Sequence, residues 1–108
     1  MRFDGPLPVA LHEGRWSLVP LSPRTAGIEV RLAADPVVRE WTFYPAGLSH
    51  AGAAERAKRS VRNMHSRRGQ RYVIREGPRP IGTAGIGTTL DGAAEIYYAL
   101  LPLSLIHI

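Results

Sequence analysis

Arg71-Tyr72-Val73-Ile74, Ile81-Gly82-Thr83-Ala84-Gly85-Ile86 and Glu95-Ile96-Tyr97-Tyr98-Ala99-Leu100-Leu101 are three strand-like runs, and the turns between them decide the fold class. Gly77-Pro78-Arg79-Pro80 joins the first run to the second, which continues to Thr89, and Leu90-Asp91-Gly92-Ala93 joins the second to the third. Asp-Gly favours a tight hairpin because both residues tolerate positive φ. Short connections make neighbouring strands antiparallel, so the last third of the chain reads as a three-stranded meander.

Upstream of Arg71 the apolar period changes from two to that of a helix. Ser49 is placed to cap a helix whose stripe is Ala54, Ala57, Val61 and Met64, with Arg56, Lys58, Arg59 and Arg62 largely off it and Glu55 four residues before Arg59. An earlier helix has Ser22 as cap and Pro23 at its first position, carries Ala26, Ile28, Val30, Leu32 and Ala33, and stops at Asp35-Pro36, because a residue before proline is driven out of the helical region. Between the helices lies an aromatic connector over residues 36–48 containing Trp41, Phe43 and Tyr44, for which burial under the helices is the plainest role. Trp16-Ser17-Leu18-Val19-Pro20-Leu21 reads as a first strand, with Pro20 at an edge or an end. Residues 1–14, rich in proline and glycine, read as an irregular lead-in. The predicted order is strand, helix, helix, three antiparallel strands: an α+β domain.

With 108 residues and 44% apolar content there is room for one small core. The chain has no cysteine and four scattered histidines, which excludes disulfides and thiolate metal sites and offers no zinc spacing. No run is apolar enough to span a bilayer and Met1-Arg2-Phe3-Asp4 opens no signal peptide, so the expectation is a cytoplasmic protein with no membrane partner. The net charge of +5 comes from arginine, Lys58 being the only lysine among fourteen basic residues, a pattern that codon bias in an Ala-, Gly- and Pro-rich sequence produces without selection for DNA.

Four segments in this order resemble the GCN5-related N-acetyltransferase family. Trp16-Ser17-Leu18-Val19-Pro20-Leu21-Ser22-Pro23 resembles its opening strand and cap, and Ala34-Asp35-Pro36-Val37-Val38-Arg39 the end of its first helix. Ile81-Gly82-Thr83-Ala84-Gly85-Ile86 resembles the third strand, and Glu95-Ile96-Tyr97-Tyr98-Ala99-Leu100-Leu101-Pro102 the fourth strand of the branch that acetylates ribosomal-protein N-termini and related amines. The resemblance covers residues 15–102 and implies the N-terminal part of that fold, with acetyl-CoA as co-substrate and an amine, either a protein N-terminus or a small molecule, as acceptor. It implies Glu95 as general base, because an ammonium must lose its proton before its nitrogen attacks a thioester; a solvated strand-edge carboxylate is the other reading. It implies Leu100 and Leu101 as backbone neighbours of the cofactor arm, and Trp41, Phe43, Tyr44 and Tyr97 on the acceptor side, although Tyr97 stands where that branch commonly has glycine.

In this family a basic, glycine-rich turn opening a helix follows the fourth strand and holds the cofactor pyrophosphate, as helix N-termini do for phosphates generally. After Pro102 the chain instead reads Leu103-Ser104-Leu105-Ile106-His107-Ile108, which resembles the translation of a transposon mosaic end used in preparing sequencing libraries. The expectation is a non-native tail over residues 103–108, a fold without its C-terminal half, no activity in the chain by itself, and self-association through an exposed sheet edge.

Two other signals carry less. Gly82, Gly85 and Gly87 fall in a G-x-x-G-x-G order with no helix pattern behind them, so they read as strand glycines and not a phosphate loop. Arg67-Arg68-Gly69-Gln70-Arg71 behind Arg62 supports the alternative of a small nucleic-acid-binding module, but a cationic helix end complements the helix dipole equally well, and nucleic acid is not the expected partner.

Overall fold

The computed structural model describes residues 3, 10–42, 44–88 and 91–102. Five strands, β1 (Leu11–Glu13), β2 (Trp16–Pro20), β3 (Gly69–Glu76), β4 (Arg79–Thr88) and β5 (Ala94–Leu100), form one sheet in chain order with every neighbouring pair antiparallel. Three helices, α1 (Gly27–Ala34), α2 (Pro36–Trp41) and α3 (His50–His65), lie in sequence between β2 and β3. The α+β class and the closing meander are as the sequence predicts. Strand β1 lies within the predicted irregular lead-in: three residues are too few to show a period, and its signal is the glycine that follows.

That glycine belongs to a repeated device. Glu13 pairs with Trp16 and Glu76 with Arg79, so both hairpins turn on two residues. Each loop opens on a glycine at positive φ, 58° at Gly14 and 57° at Gly77, the type II′ requirement that matches strand twist. The loops also touch, for Gly77 N–H donates to the Arg15 carbonyl at 2.8 Å, and Glu76 pairs with Arg15 at 3.4 Å and with Arg79 at 3.1 Å.

Asp35 separates two helices. Its extended backbone ends α1 after Ala34, as proline at the next position demands, and its carboxylate then accepts from Val37 N–H at 2.9 Å and Val38 N–H at 3.3 Å. Pro36 takes the first position of α2, so the predicted connector opens with a helix. Helix α1 begins at Gly27, later than its predicted cap. The Thr25 hydroxyl donates to the Pro20 carbonyl at 3.1 Å and accepts from Ser22 N–H at 2.9 Å, which holds residues 22–25 in a turn instead of a first helical turn.

Ser49 caps α3 as predicted, accepting from Gly52 N–H at 3.0 Å. The buried face is Ala53, Ala57 and Ser60, however, where the sequence predicts Ala54, Ala57, Val61 and Met64. This rotation turns Arg56, predicted off the stripe, towards the sheet; Glu55 pairs with Lys58 at 3.2 Å rather than with Arg59. At the other end, Arg67 N–H donates to Met64 and Arg68 N–H to Asn63, with Arg67 at φ 58°, so α3 closes in a Schellman motif with arginine in the usual place of glycine. Helices α1 and α3 cover one face of β3 and β4. Leu21, Ile28, Leu32, Val38, Val73 and Ile81 are the larger apolar side chains in the core between them, each contributing about 1.5–3 kcal/mol by burial. No helix among the described residues is long and apolar enough to cross a membrane.

Candidate functional site

Alternation along β5 puts Glu95, Tyr97 and Ala99 on the helix-bearing face and Ile96, Tyr98 and Leu100 on the other. Across the sheet Tyr97 pairs with Gly85, which pairs with Arg71, and Ala99 pairs with Thr83. The Tyr97 ring lies over Gly85, where a Cβ would come within 2.5 Å of ring atoms. A cleft of about 420 Å³ opens between this face and α2 and α3, with Trp41, Tyr44, Arg56, Arg71, Glu95 and Tyr97 in its wall.

Behind that wall lies a charged network. Glu29 of α1 is wholly buried, and Arg71 holds both its oxygens, at 2.6 Å and 3.3 Å. Arg56 approaches the same carboxylate through Nε at 3.7 Å and lies over the Tyr44 ring, 5.3 Å from its centroid. Arg71 Nη2 also donates to the Tyr44 hydroxyl at 3.1 Å, and that hydroxyl shares a 2.8 Å hydrogen bond with Thr83. The Nε atoms of Arg56 and Arg71 are buried without hydrogen-bond partners among the described residues, an arrangement that costs about 1–3 kcal/mol per donor.

Burial pushes the Tyr44 phenol up to about 12, the Glu29 charge adds to the rise, and Arg71 and the Thr83 hydrogen bond oppose it. For Arg71, burial disfavours the cation, but the hydrogen bond and charge of Glu29 outweigh it and the pKa is raised. Tyr97 is also raised, by burial first, with Arg71 pulling it down and Glu95 pushing it up. Near neutral pH the cleft therefore presents two protonated phenols beside charged arginine.

Trp41, Tyr44, Glu95 and Tyr97, all singled out in the sequence, meet at this cleft. Tyr44 is buried, whereas Trp41, predicted to lie under the helices, is 81% exposed because α2 ends on it and leaves it at the rim. Phe43 lies outside the described residues, as do residues 103–108. Leu100 lines an adjoining groove of about 300 Å³ with Val38, Trp41 and Tyr98. Leu101 N–H donates to the Ile81 carbonyl at 2.9 Å. The alternation of an antiparallel ladder therefore turns the backbone groups of Ile96, Tyr98 and Leu100 to the outer edge of β5, and those of Leu101 inwards.

Sequence reading missed Glu29, Arg56 and Arg71 as one group. The available signal was that Glu29 sits between Ile28 and the pair Leu32 and Ala33, at helical spacing on the apolar face. The basic cluster is correspondingly divided: Arg71 is turned into the cleft, while Arg67 belongs to the cap of α3.

No family model and no curated protein matches the chain. Among solved structures it is similar to RimL, a ribosomal alpha-N-protein acetyltransferase in complex with coenzyme A, with a TM-score of 0.61 at 13% identity over 86% of this chain. The chain spans 54% of the length of that one. At such identity the likeness is one of architecture, and it shows that these strands and helices build a partial GCN5-related N-acetyltransferase fold.

Proposed function

We propose that the chain is the N-terminal part of an N-acetyltransferase that moves an acetyl group from acetyl-CoA to an amine, related to the ribosomal-protein branch, with the cleft beside β5 receiving the amine. The observation that carries this reading is a juxtaposition: the cleft holding Glu95 opens next to a strand edge whose Leu100, Tyr98 and Ile96 backbone groups point outwards, in a sheet of acetyltransferase architecture. An extended amide chain such as the pantetheine arm fits an edge of that kind by adding hydrogen bonds as a further strand would. Leu100 is the position best turned to hold it, with Val38 and Trp41 lining the groove alongside.

Acetyl-CoA supplies the acetyl thioester. Glu95 accepts one proton of the incoming ammonium, the freed lone pair forms the N–C bond, and the C–S bond breaks as the nitrogen's surplus proton passes to the departing sulfur, giving the amide and the free thiol. Tyr44, Tyr97 and Trp41 surround the acceptor and reduce its contact with water. The 108 residues by themselves are expected to hold acetyl-CoA weakly and not to turn over, a reading supported by their match to about half of RimL.

The test starts at the source locus, sequenced past codon 102 from genomic DNA prepared without transposase. The protein made from the complete frame should be stabilised by acetyl-CoA and should release thiol when an amine is supplied. A complete-frame protein with no melting shift in excess acetyl-CoA and no thiol release across a panel of amines would overturn the reading.

A further inference from the structure

Resting on the cleft as acceptor site, we infer that it takes a small amine that also bears a carboxylate, an amino-acid-like zwitterion, and that Arg56 binds the carboxylate. The charges behind the wall do not balance: one buried carboxylate, Glu29, faces two guanidiniums. Arg71 is occupied, with two hydrogen bonds to Glu29 and one to Tyr44. Arg56 is not, since it reaches Glu29 only at 3.7 Å and makes no hydrogen bond among the described residues. Its Nε is buried, its guanidinium carbon lies over the Tyr44 ring at 5.3 Å from the centroid, and its side chain, 28% exposed, borders the cleft.

A planar guanidinium fork held in place and short of an acceptor is the complement of a carboxylate, which it can grip through two parallel hydrogen bonds. Glu95 borders the same cleft and is paired with neither arginine. The site thus carries one unpaired anion and one under-satisfied cation, which an α-amino acid answers together, ammonium to Glu95 and carboxylate to Arg56. Trp41 and Tyr97 supply apolar wall for a side chain, and about 420 Å³ lies within the range of small-molecule sites.

The experiment is a calorimetric titration of the protein made from the complete frame, at low salt and without acetyl-CoA, with L-phenylalanine, L-phenylalanine amide and 2-phenylethylamine. L-Phenylalanine should bind roughly tenfold or more tightly than either carboxylate-free amine, the order of one charge-assisted contact. In Arg56→Gln that preference should fall to about twofold or less, and Arg56→Lys should keep part of it, having the charge without the fork. Equal affinity for the three probes, no binding of any, or a preference that persists in Arg56→Gln overturns the inference. Should Arg56→Gln fail to fold, the three-probe comparison on the unaltered chain still decides. The two readings fail separately: loss of the carboxylate preference leaves acetyl transfer standing, and Arg56-dependent binding of L-phenylalanine in a complete-frame protein that releases no thiol leaves the site standing without the reaction.

Discussion

At Tyr44 a single hydroxyl joins the segment after α2 to β3 and β4, through Arg71 and Thr83. Its pKa near 12 lies above the ordinary 10, so the native chain keeps this proton longer than the unfolded one. The contribution to stability is complete below pH 10 and is lost as pH rises from 10 towards 12. An ultraviolet absorbance titration should show a late phenol that Tyr44→Phe removes, and the variant should lose less stability across that interval. Glu29→Gln should destabilise by about 3–5 kcal/mol in a denaturant titration, because it leaves two arginines beside a neutral amide. Trp41, Tyr44, Tyr97 and Glu95 could be singled out in the sequence by residue type, and the structure brings these four to one cleft, with Trp41 at its rim and not under the helices. The Glu29–Arg71 pair was not, because its partners are 42 residues apart and neither position announces the other.

Helices and turns show where local rules suffice. Ser49, Asp35-Pro36 and the Gly77-Pro78 turn were all readable, since each acts through its own backbone and its immediate neighbours. The phase of α3 was not: with alanine at 51, 53, 54 and 57, several faces are equally small, and packing on β3 makes the choice. That choice decides whether Arg56 enters the cleft. The C-terminal cap of α3 offers a direct test. Arg67 holds a left-handed conformation that costs a side-chain-bearing residue about 1–2 kcal/mol, so Arg67→Gly should raise the melting temperature. Gly82→Ala should do the opposite, by about 1–3 kcal/mol, because its methyl meets the Ala99 carbonyl oxygen and the Leu100 backbone, which cannot swing aside.

Over the whole molecule, β5 has a strand neighbour on one side only among the described residues, and Ile96 and Tyr98 are 77% and 73% exposed. Sedimentation at increasing concentration should show self-association despite the net charge of +5, and Ile96→Lys should suppress it. The class of fold was legible because hairpins announce themselves in short stretches; the neighbour of β2 was not, because β3 follows only after all three helices. The same topology sets a timetable for folding. The pairs β1–β2 and β3–β4 close over two-residue loops, within microseconds in isolation, whereas β2 can join β3 only after a long excursion of chain. The sheet should therefore be assembled as two early pieces and a late seam, and the contact of α1 with β3 through Glu29 and Arg71 forms when the seam closes. Glu29→Gln should then hasten unfolding while leaving the rate of folding nearly unchanged.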